Sequence, residues 1–401
     1  MKNVVLLENQ IQEYDWGSRT AIAELLGEPT PSTKPQAELW MGAHPLAPSR
    51  VKTGTRSVSL ADLIASEPVS ILGERIDRDF EGRLPFLFKL LAAERPLSIQ
   101  AHPDAPGARE GFERENALGI ALEAPDRNYR DSSHKPEIIC ALTRFQALRG
   151  FRPPDDIRRL LDELGAGALD EVFALPSEGP PAQVLSDFLG DLFELSNARR
   201  EPLMAAVANR AANQAKQGDA LWWVARLQEL YPGDVGVIAP LFLRDITLEP
   251  GQAMYLPARE FHCYLSGFGI ELMANSDNVL RGGLTSKRVD VGEVMSVLDF
   301  EPRDFSILNP QQSPNGEELY DSPAREFQLS RIRLPDGEMV PDFGVPGCEL
   351  LLCTEGGLRV DPVGASEGLT LSSGRSCLVP AEAVPYRVSG SGTLYRARVP
   401  D

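Results

Sequence analysis

Between residues 153 and 230 the apolar positions recur with the period of a helix. Ile157, Leu160, Leu161 and Leu164 stand at i, i+3, i+4 and i+7, which places them on one face at 3.6 residues per turn. Pro153-Pro154-Asp155-Asp156 precedes the stripe and Gly165 follows it, the punctuation of a helix start and stop. Leu185, Phe188, Leu189 and Leu192 repeat the spacing. Trp223, Leu227 and Leu230 form a third stretch before Tyr231-Pro232-Gly233. The pattern predicts a helical module over 151–230, with Trp222 and Trp223 as core packing rather than a ligand platform.

The flanks have a different texture. Up to about residue 150, short apolar runs such as Phe86-Leu87-Phe88 and Ile138 to Leu142 lie between turn residues and predict buried strands. One early helix is expected from Ser18 to Leu26, stopped by Gly27. Strand-and-turn texture returns after Gly233. There Gly251 to Ala258 (GQAMYLPA) matches Gly374 to Ala381 (GRSCLVPA) at an offset of 374 − 251 = 123, and the same offset sets Pro385 at the place of His262. Two related all-β units of the jelly-roll or cupin type are the natural architecture. The expected fold class is mainly β with a helical insertion: two cupin/jelly-roll units plus an α-helical module. The first unit takes 1–150 and 231–298, the insertion 151–230, and a C-terminal jelly roll without histidine or metal 299–401.

Composition narrows the partners. With 42% hydrophobic and 24% charged residues, the chain can bury substantial cores, which excludes general disorder. Forty basic against fifty-eight acidic residues give a net charge of −18. Such a surface repels nucleic-acid backbones and anionic lipid, so neither is expected as a partner; an anionic small substrate needs a local basic pocket. Five cysteines without a CxxC pair exclude a disulfide framework and a thiolate zinc site. Four apolar residues before Glu8 are too few for a signal-peptide core. The longest apolar run, Val235 to Leu243, is broken by Gly236 and Pro240 and falls short of the ~18 residues of a membrane helix. A cytoplasmic monomer is expected.

Four stretches carry candidate chemistry. In Gln100-Ala101-His102, residues two apart on a strand share a face, so an amide oxygen and an imidazole can converge. His134-Lys135-Pro136-Glu137 sets a carboxylate at the lip of a buried strand. His262 falls in a turn between two strand-like segments. Gln100, His102, Glu137 and His262 together can supply two nitrogens and two oxygens, a set that suits zinc or a similar divalent ion. Arg281, Lys287 and Arg288 surround a glycine-rich turn, Gly282-Gly283, where backbone can approach a ligand closely. On spacing alone, a polar strand end is the favoured reading of the first stretch, and a loop ion pair and a solvated basic loop stay open for the second and fourth.

At these residues the chain resembles the type I phosphomannose isomerases. The resemblance rests on Gln12-Glu13-Tyr14-Asp15-Trp16-Gly17-Ser18, Glu38-Leu39-Trp40-Met41-Gly42-Ala43-His44-Pro45 and Ser98-Ile99-Gln100-Ala101-His102-Pro103-Asp104. It continues through Tyr129-Arg130-Asp131-Ser132-Ser133-His134-Lys135-Pro136-Glu137 and the stretch from His262 to Lys287. It implies Gln100, His102, Glu137 and His262 as ligands of one zinc ion per chain, and Arg281 as the catalytic arginine. Lys135 is the motif lysine and, with Glu271, a candidate acid–base group. Ser98, Lys287, Arg288 and Tyr264 are candidate substrate contacts. The implied reaction interconverts mannose 6-phosphate and fructose 6-phosphate through an enediol, and so feeds mannose metabolism and GDP-mannose supply. The chain departs from the family pattern at Ser133, Cys263, Gly282 and Ser286, none of which removes a ligand. Two rivals share the scaffold: an iron cupin oxygenase, and a metal-bearing sugar-binding or regulatory module without turnover.

Overall fold

The computed structural model describes residues 2–53, 56–343, 347–364 and 367–400. Ten strands belong to the first unit: β1 (Gln10–Gln12), β2 (Glu38–Met41), β3 (Phe86–Ala93), β4 (Ile99–Ala101), β5 (Glu137–Ala141), β6 (Phe145–Phe151), β7 (Leu243–Leu248), β8 (Ala253–Leu256), β9 (His262–Ala274) and β10 (Leu280–Gly283). Of the strands that follow, six form a second run: β11 (Gln311–Gln312), β12 (Glu318–Tyr320), β13 (Gln328–Phe343), β14 (Glu349–Pro362), β15 (Ser376–Val379) and β16 (Tyr386–Arg398).

These strands build two antiparallel arrays with one plan. The first runs β8-β5-β9-β3-β2-β1. The second runs β15-β14-β16-β13-β12-β11. The strands follow the same chain order in both, so the repeat seen in the sequence is mirrored in the pairing. The segment Val5–Glu8 extends the second array by pairing with β15. The first half of β9 leaves its array to pair with β6 and β4, and β4 in turn pairs with β10.

Residues two apart on a strand share a face, and here both faces are covered. Leu39, Met41, Phe86, Phe88, Leu90, Ile138, Cys140, Ile270 and Leu272 pack against Leu329, Leu350, Leu352, Tyr395 and Ala397 in one core between the arrays. The opposite faces line the two interiors, with Leu91, Ile139 and Ala141 in the first and Ile332, Leu351 and Val379 in the second. Double coverage explains why the strands read as continuous apolar runs. Each fully buried large side chain contributes about 1.5–3 kcal/mol.

The mainly β architecture with a helical insertion is as expected. α1 (Ala21–Leu26) ends at Gly27, whose φ of 70° closes the helix. α2 (Ala105–Ala117) was not legible, because its buried face is Ala108, Gly111 and Glu115 rather than an apolar stripe. The insertion contains α3 (Pro154–Glu163), α4 (Pro181–Glu194), α5 (Asn197–Ala212) and α6 (Ala220–Leu230). α5 was also missed; its buried stripe, Leu203 to Ala211, starts only after Pro202. After Gly233, two short helical turns, Val235–Ile238 and Ala239–Phe242, precede the first strand at Leu243. Trp223 is buried and Trp222 packs against the helical core, which runs on into Ile99, Leu148, Phe261 and Leu280 of the strands.

Candidate active site

Three short local decisions bring the candidate residues together. Pro136 delivers Glu137 to the first position of β5, between β8 and β9, opposite Leu256 and Met273. His262 is the first residue of the thirteen-residue β9 and not part of a turn, which corrects the expectation. Its cross-strand partners are Gln100 and Arg149. His102 lies just past β4, fully buried, and its carbonyl accepts the Arg259 N–H at 2.7 Å.

The imidazoles are oriented from behind. His102 Nδ1 sits 2.6 Å from the Asn278 carbonyl and His262 Nδ1 3.1 Å from the Glu260 carbonyl. A carbonyl only accepts, so each Nδ1 carries the proton and each Nε2 presents a lone pair. Both Nε2 atoms lie 3.4 Å from Glu137, one from each carboxylate oxygen. His102 Nε2 is buried and has no hydrogen-bond partner. The ligand atoms of His102, Glu137 and His262 fall within 4.8 Å of one another. An orphaned nitrogen aimed at a second imidazole and a carboxylate is the donor set of a divalent cation. Gln100 lines the same cavity, with its Nε2 3.3 Å from Ser98 Oγ.

The protonation states agree with that donor set. Burial, followed by the nearby Lys135 cation, lowers the His102 pKa to about 4. Burial alone would raise Glu137, but Lys135 and His102 hold it well below the usual carboxylate range. Lys135 Nζ lies 2.8 Å from Glu137 Oε1.

A second polar group forms the rest of the cavity wall. Lys89 Nζ lies 3.0 Å from Glu271 and 3.7 Å from Glu38. Trp40 Nε1 donates to Glu38 at 2.6 Å, and the Tyr264 hydroxyl donates to Glu271 at 2.9 Å. Burial raises Glu271, while burial would lower Lys89 but Glu271 and Glu38 hold it raised. Lys89 and Glu38 were missed as site residues. The signal was present: Lys89 is the one charge in the apolar run Phe86 to Ala93.

The basic stretch divides. Arg281 lies on β10 directly across from Gln100. Burial and Arg130 lower its pKa, and among the described residues no ion pair or hydrogen bond engages its guanidinium. Arg281, then burial and Arg130, lower the Lys287 pKa, so the three cations are felt as a group. Arg288 turns away, pairing with Asp290 at 3.0 Å and the Asp126 carbonyl at 3.2 Å. The other two histidines are engaged elsewhere, His134 with Glu326 at 2.8 Å and His44 with Asp277 at 3.4 Å.

Residues behind the site were not legible either. Asn278, whose carbonyl holds His102, donates its side-chain amide to the Asp131 and Ser133 carbonyls. Asp131 also accepts the Ser276 hydroxyl at 2.9 Å. At Gly282 a Cβ would come within 2.3 Å of the Phe261 ring, so a larger residue there requires that ring to shift. Gly283 has a φ of 144°, and Asp234 pins the turn by accepting the Leu284 N–H at 2.9 Å.

Comparisons with known proteins agree over nearly the whole chain. A family model described as phosphomannose isomerase type I, catalytic domain, matches residues 4–154. Mannose-6-phosphate isomerase of Escherichia coli (strain K12) is 40% identical over 392 residues, covering 97% of this chain and 98% of that protein. The Salmonella typhimurium enzyme of the same name is 40% identical over 394 residues, with the same coverage of both chains. A crystal structure of zinc-bound mannose 6-phosphate isomerase is 38% identical, covers 99% of each chain and superposes with a TM-score of 0.91.

Proposed function

This chain belongs to the type I phosphomannose isomerase family, and from that premise we propose that it interconverts mannose 6-phosphate and fructose 6-phosphate with one bound zinc ion. The observation that carries the proposal is the buried convergence of His102, Glu137 and His262, with His102 Nε2 lacking any protein hydrogen bond. Gln100, His102, Glu137 and His262 would hold the ion, which when bound supplies a Lewis acid for the sugar's oxygens.

The chain's own residues would do the rest. Isomerisation moves a proton between C2 and C1 through an enediol and a second proton between the two oxygens. Lys135 and Glu271 are the proposed proton carriers; burial raises Glu271 toward the protonated form, and Lys89 behind it steadies the charge it bears when ionised. Positioned acid–base groups contribute ~10²–10⁴-fold. Arg281 would stabilise the negative oxygen of the enediolate, where a donor matters most as charge develops. Ser98 and Lys287 are proposed for the phosphate. Tyr264 would act from the wall, since its hydroxyl is committed to Glu271. Arg288 is left out because its guanidinium is held on the surface. The mannose 6-phosphate so formed would supply mannose metabolism and GDP-mannose.

Relatives matching nearly the whole chain are named isomerases, which favours turnover over the oxygenase and binding-module readings. The test is a coupled assay for fructose 6-phosphate formed from mannose 6-phosphate. Chelator should abolish conversion and added zinc should restore it. Full conversion by metal-free protein would overturn the assignment.

A further inference from the structure

The second array has a buried polar cluster of its own, on the face that lines its interior. Arg396 is 1% exposed and donates Nε and Nη2 to Glu349 and, at 2.8 Å, Nη1 to Glu317. The Tyr386 hydroxyl donates to Glu349 and the Ser330 hydroxyl to Glu317. All five residues are buried.

Strand register shows where this cluster stands. Glu137 opens β5 opposite Leu256 of β8 and Met273 of β9. Glu349 opens β14 opposite Val379 of β15 and Arg398 of β16. Two residues back along the long strand, Glu271 faces Lys89 and Arg396 faces Ser330. On the next strand, Glu38 pairs two residues beyond Lys89, and Glu317, just ahead of β12, reaches the matching place beside Ser330. Glu137, Glu271, Lys89 and Glu38 therefore have Glu349, Arg396, Ser330 and Glu317 as positional counterparts.

The comparison shows one reversal of charge, Arg396 at the place of Glu271, and one added cation, Arg398 at the place of Met273. Two carboxylates keep their places, the lysine becomes a serine, and the third carboxylate becomes a guanidinium. In the first unit Glu137 faces two imidazole lone pairs and an open cavity. In the second, the guanidinium itself reaches both carboxylates. Its planar fork suits that bridging role, since it offers several donors in fixed directions.

We infer that the second unit keeps the carboxylate framework of the first site with the Arg396 guanidinium as its resident cation, and that removing it leaves an oxygen-rich pocket for a hard divalent ion. The donors that remain are two carboxylates and two hydroxyls. Oxygen donors favour calcium, whereas the imidazoles of the first site suit zinc. Without Arg396, Glu349 and Glu317 would lose the guanidinium that bridges them, and breaking a buried ion pair strongly destabilises a fold.

The test compares full-length wild type, Arg396→Ala and Arg396→Ala/Glu349→Gln, each zinc-loaded and titrated with calcium chloride. Arg396→Ala should melt at a lower temperature than wild type, bind a further calcium ion, and regain roughly 2–4 °C or more in Tm at saturating calcium. Wild type and the double variant should not respond. If Arg396→Ala accumulates unfolded, refolding it with and without calcium reads the same site, and recovery only with calcium supports the inference. An Arg396→Ala chain that neither binds nor refolds with calcium overturns it, as does an equal response from the Glu349→Gln double variant.

Discussion

Gln100 and His262 are direct cross-strand partners, although they lie on opposite sides of the helical insertion in the chain. Opposite residues on a sheet hold their Cβ atoms about 4.5–5.5 Å apart, so an amide and an imidazole can reach one point. His262 is also the one member of the proposed ligand set that follows the helical insertion in the chain. His262→Ala should therefore lose most of its metal. Loss of even an outer partner of a ligand costs ~10–100-fold in affinity, and loss of a ligand should exceed that. Elemental analysis after dialysis checks it; wild-type zinc content would remove His262 from the set.

Arg281 stands across from Gln100 on its other side, with no partner for its guanidinium among the described residues. Arg281→Ala should keep metal and fold but lose about 10²–10³-fold in kcat, the usual effect of removing one preorganised donor. Arg281→Lys should recover only part, because a point charge does not reproduce the planar fork. Steady-state rates beside zinc content decide. An alanine variant within a few-fold of wild type at full metal occupancy contradicts the role.

Lys89 is a buried cation between two carboxylates. Lys89→Met should lower stability by about 3–5 kcal/mol, since it leaves Glu38 and Glu271 buried without their counter-ion. Adding Glu271→Gln should recover part of that stability without restoring turnover. Urea unfolding of the three proteins measures the first effect and kcat the second. A single variant as stable as wild type would contradict the pairing.

Legibility followed from how local each cause was. The helices α3, α4 and α6 announced themselves because a single apolar face and its caps lie within one short segment. β3 and β5 were legible as apolar runs because both faces of their array are covered. The four proposed ligands were reachable from motif and residue type. Lys89 was not singled out, because a charge inside an apolar run acquires meaning only when β2 and β9 bring Glu38 and Glu271 beside it. Asn278 holds His102 through a backbone carbonyl and is itself held by the Asp131 and Ser133 carbonyls, contacts that spacing does not reveal. Arg288 reads like Lys287 in sequence, and only the position of Asp290 separates them.

The cation group gives a pH dependence. Arg281 and burial lower the Lys287 pKa, so its ammonium loses a proton at lower pH than a free lysine. A dianionic phosphate favours the protonated form. KM for mannose 6-phosphate should accordingly rise as pH climbs through that lowered pKa, with kcat less affected. Lys287→Arg keeps its charge throughout and should flatten the rise. An unchanged KM profile in that variant would show that another group titrates.

The central claim is zinc-dependent proton transfer through an enediol, and isomerisation in D₂O tests it most directly. Protein incubated with mannose 6-phosphate in D₂O should yield fructose 6-phosphate carrying solvent deuterium at C1, seen by mass spectrometry and NMR. Chelator should abolish both product and label, and zinc should restore them together. Rapid conversion without any deuterium uptake, or conversion that persists in metal-free protein, would contradict the account.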